Sequence, residues 1–439
     1  MSNTTSCENS RLIIHYTDLA GFLRSVETRC GERKIVVFDG SSVRGFAEIS
    51  RSDMILDYEP STLRRVPWER DLYRAIGRVY DVSGKRFERD PRYVAEKTFE
   101  YMLREGYRAL VGGELEFFVF NSVKIVGERS SAKSGFSISF GERYKPEKSY
   151  HNGSDDRLLR FRVDLSRYLE ELGFGVETSH HEVATSQIEL SLRAGDPVYI
   201  GDEIVTSKWV ARTIARMNNL AAVFMPKPVY GENGSGMHLH ISLWDPSGRV
   251  NMFSSGEKNE LSDIARYFIG GLIEHCRSLA AIVAPTTNSY KRLVPGYEAP
   301  VYCVWGYYNR SASIRVPYAG NSDRVRIEFR PPDPTSNPYL AVSAVLLAGL
   351  DGIKRKIDAG EPFNGNVYKI SPRDAREKGV KTLPRDLDEA LDELESDREY
   401  LKPVFSDEII ESYVEIKRYE AREVNSRPHP HEFILYMDL

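Results

Sequence analysis

The sequence predicts an α+β fold in two parts: a small β-rich unit over residues 1–88, then a larger unit over 89–439 whose antiparallel sheet is backed by helices. Three observations carry this. Short apolar runs crowd the first part, a capped helix start at Asp90-Pro91 ends it, and four later segments alternate apolar and charged residues with the period of a strand.

In chain order, Arg11–Tyr16, Lys34–Phe38 and Ala75–Tyr80 are apolar runs punctuated by Gly and Asp, and read as strands of the small unit. Asp90 can cap a helix that has Pro91 at its first position; Val94, Phe99, Met102 and Leu103 keep the helical period, and Gly106 stops it. Between Val126 and Asp156, Ser, Gly and Lys dominate without a period, which predicts loop. Charged helical patterns close the chain from Asp386 onward.

With 41% apolar and 11% aromatic residues over 439 positions, the chain can build a sizeable core, which excludes disorder as its main state. Its 60 Lys and Arg against 64 Asp and Glu are interspersed, so overall charge makes no case for a nucleic-acid or anionic-membrane partner. Anion recognition must be local. Cys7, Cys30, Cys276 and Cys303 fit neither a zinc pair nor a disulfide framework and are expected to be reduced bystanders. The longest mostly apolar run, Tyr339–Leu350, is too short to span a bilayer, and the N-terminus lacks a signal-peptide pattern, so the expected location is the cytoplasm.

Side chains in a strand alternate faces, and four segments use this to gather chemistry. Glu114 and Glu116 share one face of Gly113–Phe118. The polar set of Gln187–Leu192, with Glu189, opposes Ile188, Leu190 and Leu192. His238, His240 and Ser242 oppose Met237, Leu239, Ile241 and Leu243. Arg324, Arg326, Glu328 and Arg330 oppose Val325, Ile327 and Phe329. Any one such strand is ordinarily just a solvated outer face. Together, Glu114, Glu116, Glu182, Glu189 and Glu328 would repel one another on a shared surface, so cations are required. Carboxylates with imidazole and no thiolate suit Mg2+ or Mn2+, ions that keep open positions for water and phosphate.

His180-His181-Glu182 resembles a metal tripeptide, of which Glu182 alone is taken as a ligand. The run Gly231-Glu232-Asn233-Gly234-Ser235-Gly236 has neither dinucleotide nor P-loop spacing; it is either a plain turn or a loop that a substrate approaches closely. Arg292, Arg310, Arg315, Arg326 and Arg330 supply forked counter-charges, each ordinary at a surface but together suited to ATP plus a carboxylate substrate.

These motifs resemble the type I glutamine synthetase family over most of the chain. Phe38-Asp39-Gly40-Ser41-Ser42 is similar to its N-terminal signature, and Lys227-Pro228 with Asn233-Gly234-Ser235-Gly236-Met237-His238 to its ATP-region signature. The segments Asn288–Pro300 and Asn309–Arg315 are similar to its substrate flap and arginine segment. The resemblance implies an N-terminal β-grasp domain, a catalytic domain with a curved antiparallel sheet, and a homododecamer of two stacked hexameric rings. Active sites would form between neighbours.

By motif position, Glu116, Glu182 and Glu189 would hold one metal and Glu114, His238 and Glu328 another, with two or three Mg2+ or Mn2+ per site. Arg292, Arg310, Arg330, Asn233 and Gly234 would hold L-glutamate. His240, Ser242, Arg315 and Arg326 would face the phosphates of ATP, and Glu177 its nucleoside. Asp39 and Ser42, from the adjacent subunit, would bind ammonium; Asp39, Glu298 and Arg310 would be catalytic. The C-terminal Arg427–Phe433 resembles the segment that links the two rings.

Departures are local. Ala184-Thr185-Ser186-Gln187-Ile188-Glu189 stands where the family commonly has Ala-Pro-Gly-Gln-His-Glu, and Ser149–Gly153 replaces a Gly-Tyr-Phe segment. Tyr368 stands where some members carry an adenylylated tyrosine, without the usual flanking residues. The expected reaction is ATP-dependent ligation of ammonia to glutamate. The alternatives are ligation of an organic amine, or a catalytically retired nitrogen-sensing or structural relative, which loss of a metal ligand would favour; none is missing.

Overall fold

A computed structural model describes every residue except 1–6, 8–9, 32–34, 127–136, 141–148, 151–155, 258, 371, 378, 430, 433–434, 436 and 438–439. The first sheet contains β1 (Arg11–Thr17), β2 (Leu23–Arg29), β3 (Val36–Asp39), β4 (Asp53–Tyr58), β5 (Arg64–Arg65) and β6 (Leu72–Asp81), in the order β2-β1-β6-β4-β3 with β5 beside β6. Its pairings are antiparallel apart from β1 with β6. Alternation in β1 sends Leu12, Ile14 and Tyr16 into a small core with Leu56, Ala75 and Val79.

The chain leaves this sheet and enters α1 (Pro91–Arg104), whose cap is Asp90 accepting from the Arg92 amide. Then follow β7 (Arg108–Phe120), β8 (Val123–Val126), β9 (Ser137–Phe140), α2 (Leu159–Glu171), β10 (Val176–His181), β11 (Gln187–Gly195), α3 (Pro197–Met217), β12 (Ala221–Val223) and β13 (Met237–Trp244). After α4 (Asp263–Glu274), α5 (Cys276–Val283) and α6 (Ser289–Arg292) come β14 (Trp305–Tyr307), β15 (Ile314–Val316) and β16 (Ile327–Phe329). The chain finishes with α7 (Pro338–Arg355), α8 (Pro372–Glu377), α9 (Leu387–Ser396) and α10 (Asp407–Asn425).

The second sheet runs β10-β11-β7-β13-β16-β15-β14, with β12 also on β7, and only β14–β15 is parallel. Leu115, Phe117, Ile188, Leu190, Leu239, Ile241 and Ile327 form its apolar face and share one core with residues of α3, α4 and α7. The Tyr339–Leu350 run lies in α7 and is buried almost all round, as an interior helix should be. No helix among the described residues is long and apolar enough to cross a membrane.

The two sheets are joined. Leu19, Ala20 and Ile76 belong to the main core, the Arg74 guanidinium donates to Thr206 Oγ1 at 3.0 Å, and Arg44 pairs with Glu420 at 2.6 Å.

Three expectations are corrected. The strand foreseen over Arg324–Arg330 shrinks to β16, because Ser322–Arg324 forms a capped 3-10 turn under the Asn321 side chain. Val126–Asp156 is not all loop, since β9 pairs with β8, which brings strand residues 137–140 back onto 123–126. The cysteines are not bystanders: Cys7 joins Cys30 and Cys276 joins Cys303, with Cα separations of 5.6 and 6.4 Å. Cys30 is set beside Cys7 by the β1–β2 pairing, a proximity that cysteine spacing alone does not reveal.

Candidate active site

The polar face of the second sheet is assembled by register. Glu189 on β11 lies opposite Glu116 on β7, and His180 on β10 opposite Glu189. On the other side of β7, His238 lies opposite Glu114; His240 is opposite Glu328 on β16, and Glu328 opposite Arg315 on β15. Residues from six strands thus share one surface, and Glu114, Glu116, Glu182, Glu189 and His238 line one cleft with Asn233, Gly234, Arg292, Glu298, Arg310 and Arg330.

Two groups of ligand atoms are close enough to grip one ion each. In the first, His180, Glu182 and Glu189 converge: the His180 ring nitrogens stand 3.7 Å from Glu182 and 3.3 Å from Glu189. Burial, then the charge of Glu116, pushes the Glu182 carboxyl up to about 7. Burial does the same to Glu189, up to about 7, with Glu114, Glu116 and Glu182 adding to it and the His180 hydrogen bond opposing. Carboxylates crowded in this way around one imidazole are a donor set that suits a hard divalent ion.

In the second group, Glu114 stands 2.9 Å from His240 Nε2 and 3.1 Å from His238 Nδ1, and His238 is 3.6 Å from Glu328. Burial works against the Glu114 charge, but the hydrogen bonds from His238 and His240 hold the carboxyl well below the usual range. Glu328 is fully buried, yet Arg330, His240 and His238 bring it down to about 2. Its two oxygens are taken by Arg315 and Arg330. The ligand atoms that converge here are those of Glu114, His240 and Glu328, so His240 takes the place expected for His238, and this oxygen and imidazole set suits a divalent ion.

The glycine-rich run has a structural cause. A Cβ on Gly234 would meet the Pro226 carbonyl at 2.5 Å, and one on Gly236 would meet His238 Nε2 at 2.6 Å. The Gly236 amide donates to Glu116 at 2.7 Å, and Gln187 donates to the Gly234 carbonyl at 3.0 Å. In the altered turn, Ser186 sits at φ 62°, and Thr185 Oγ1 donates to Glu232 at 2.7 Å, tying the turn to this run.

The remaining residues separate into those near the cleft and those away from it. Arg292 is buried and donates to the carbonyls of Arg330, Pro331 and Pro332, so its fork braces the wall. Glu298, exposed at φ 57°, accepts from Asn233 at 3.3 Å. Arg310 lines the cleft from an exposed position. Arg326 donates to His240 at 3.2 Å, Trp244 donates to Ser242 at 3.0 Å, and Glu177 is exposed on β10; none of these three lines the cleft. Asp39 and Ser42 are exposed beside β3 and do not line it either. Asp39 accepts from both serine hydroxyls at 2.6 Å, and those bonds, Ser41 first, hold its carboxyl low.

Sequence reasoning set His180 aside, although it faces Glu189 across the ladder; the signal was its place in β10, two residues before Glu182. The Tyr150 ring lies 4.4 Å from that of His180. His151, Asn152 and Gly153 lie outside the described residues, as do Phe433 and Ile434 of the C-terminal segment. The Tyr368 hydroxyl is buried, and Arg330, Glu298 and Arg292 bear on it electrostatically.

Comparison with known proteins accords with this geometry. Residues 10–82 match the family model of the glutamine synthetase beta-Grasp domain, and residues 88–436 that of the glutamine synthetase catalytic domain. A glutamine synthetase of Sulfolobus acidocaldarius is 45% identical, over 97% of this chain and 95% of that one; one of Archaeoglobus fulgidus is 41% identical, over 92% and 88%. The cryoEM structure of Plasmodium falciparum glutamine synthetase superposes with a TM-score of 0.88 at 26% identity, covering 99% of this chain and 97% of that one. The GmaS/ADP complex gives 0.84 at 27% identity, covering 98% and 97%. A β-grasp domain followed by a catalytic domain, with this identity over nearly the whole length, means that the chain belongs to the glutamine synthetase family.

Proposed function

We propose that the chain makes L-glutamine from L-glutamate, ammonia and ATP, and that the cleft on the polar face of the second sheet is where it does so. The carrying observation is that Glu114, Glu182 and Glu189, members of two carboxylate–histidine groups, line one cleft with His238, Arg330, Asn233, Glu298 and Arg310.

A carboxylate is a poor electrophile. The side-chain carboxylate of glutamate therefore attacks the γ-phosphorus of ATP, releasing ADP and leaving an acyl phosphate. Ammonia then attacks the carbonyl carbon and phosphate departs. Arg310, Arg330, Arg292, Asn233 and Gly234 orient glutamate, while His240, Arg315, Arg326 and Ser242 face the phosphates and Glu177 the nucleoside. Divalent ions, two or three Mg2+ or Mn2+, held by Glu116, Glu182 and Glu189 and by Glu114 and Glu328 with an imidazole of His238 or His240, would neutralise charge on the transferring phosphoryl group. Arg315 and Arg330, now on Glu328, are positioned to exchange that carboxylate for substrate oxygens. Glu298 closes the cleft over the acyl phosphate and takes a proton from the tetrahedral adduct.

Asp39 holds ammonium and takes its proton. Low-lying ionisation keeps it charged, and its absence from its own chain's cleft supports delivery by a neighbour. The reading is a homododecamer of two stacked hexameric rings, in the cytoplasm, where ATP and glutamate are at hand.

Coupled phosphate release with glutamate and ATP tests the reading, with ammonium compared against methylamine and putrescine at equal free base. Ammonium should be preferred; a better amine overturns the choice of nucleophile. Asp39→Ala should slow amide formation by about 10² to 10⁴ while sparing acyl phosphate formation. Mixed with Glu328→Ala subunits, it should regain activity at interfaces that pair an intact small domain with an intact catalytic one.

A further inference from the structure

Away from the cleft, a crevice opens between the turn joining β1 to β2 and the face made by α3, β12 and α10. Its empty space, open mouth included, is about 1180 Å³. Leu23, Val205, Val223, Phe224 and Pro334 give it apolar walls. The charges are one-sided. Lys208 and Arg212 reach it from one face of α3 and Lys417 from α10, against a single carboxylate, Glu420. That carboxylate is already shared between Lys417 at 2.9 Å and Arg44 at 2.6 Å.

Lys208 is 8% exposed, and its ammonium meets only the Ser336 carbonyl, at a long 3.4 Å; among the described residues no carboxylate stands within ion-pair distance of it. Asp333, the acid that bears on it, is buried and accepts instead from the amide of Thr335. Burial, with the charge of Arg212 adding, pushes the Lys208 ammonium down to about 7. Arg212 also has no ion-pair partner among the described residues; its guanidinium lies 4.8 Å over the Phe224 ring. Two cations at one end of an apolar crevice, without counter-charge, are the inventory of a ligand site.

We propose that this crevice binds a small organic anion with an apolar body, its head on Lys208 and Arg212 and its body against Phe224, Val223 and Leu23. Such a ligand touches both domains, since the β1–β2 turn belongs to the small sheet and is held to the catalytic domain by Asn337, which donates to the Asp18 carbonyl at 3.0 Å.

Titration calorimetry on the full assembled protein, with ATP and glutamate saturating, tests this with benzoate, phenyl phosphate and neutral benzamide. Benzoate binding identifies a carboxylate head and phenyl phosphate a phosphate head. Either should bind once per chain, with benzamide at least about tenfold weaker, the worth of a charge-assisted hydrogen bond. Lys208→Met keeps the volume of the side chain and should cost about as much in affinity. If that variant does not fold, Arg212→Gln at the rim decides. The proposal falls if neither anion binds, if benzamide binds equally well, if ATP and glutamate displace the anion, or if Arg212→Gln binds like the parent protein.

Discussion

The two carboxylate groups on the polar face of the second sheet are neighbours on adjoining strands, yet they balance charge in opposite ways. Glu114 and Glu328 are ionised because the fold supplies His238, His240, Arg315 and Arg330 around them. Among the described residues, the cationic partner of Glu182 and Glu189 is His180 alone, and burial pushes both carboxyls up to about 7. The first group has two imidazoles and two guanidiniums around its carboxylates; the second has one imidazole. Carboxylates in a sheet therefore do not form one kind of site merely by lying on one face. What stands in the next strand decides their state.

Removing Glu328 tests the self-neutralised half. Glu328→Ala leaves Arg315 and the buried Arg330 without their shared partner, and breaking such a buried pair costs about 3–5 kcal/mol. Thermal or urea denaturation of metal-free protein should show that loss, and phosphoryl transfer should disappear with it. Glu182→Gln, which removes an acid without such partners, should cost far less. Equal losses in the two variants would break the contrast.

The pH response should separate the halves next. Glu182 and Glu189 have folded values above the ordinary glutamate value, so between that value and about 7 the folded, metal-free chain holds more protons than the unfolded one. Its stability then falls as pH rises through this window. A divalent ion at this group must displace those protons, so its affinity should drop by about tenfold from pH 7 to pH 6, whereas the carboxyls of Glu114 and Glu328, already ionised, have no proton to give up. Calorimetry in buffers of different ionisation heat would count the protons released; none released at the Glu182–Glu189 group would contradict the assignment.

The smallest effect concerns the turn that carries only one group. Thr185→Val removes the hydrogen bond to Glu232 and should cost about 1 kcal/mol of stability. It should weaken metal binding at Glu182 and Glu189 while sparing the other group. Parallel loss at both would mean that they are mechanically coupled and sharpen the comparison in that direction.

Local sequence determined which face each residue takes. Alternation of side chains set Glu114 with Glu116 and His238 with His240, opposite Leu115 and Leu239, because a two-residue period needs no knowledge of the neighbouring strand. The Asp90 cap and the Pro91 start were legible for the same reason, since a helix end is satisfied within a few residues. Tertiary structure alone decided which charges meet. His240 rather than a second acid lies opposite Glu328, two arginines close on that carboxylate, His180 joins Glu182 and Glu189, and Cys7 finds Cys30. Those outcomes depend on register and packing between segments far apart in the chain, where a shift of one residue would turn every side chain to the opposite face.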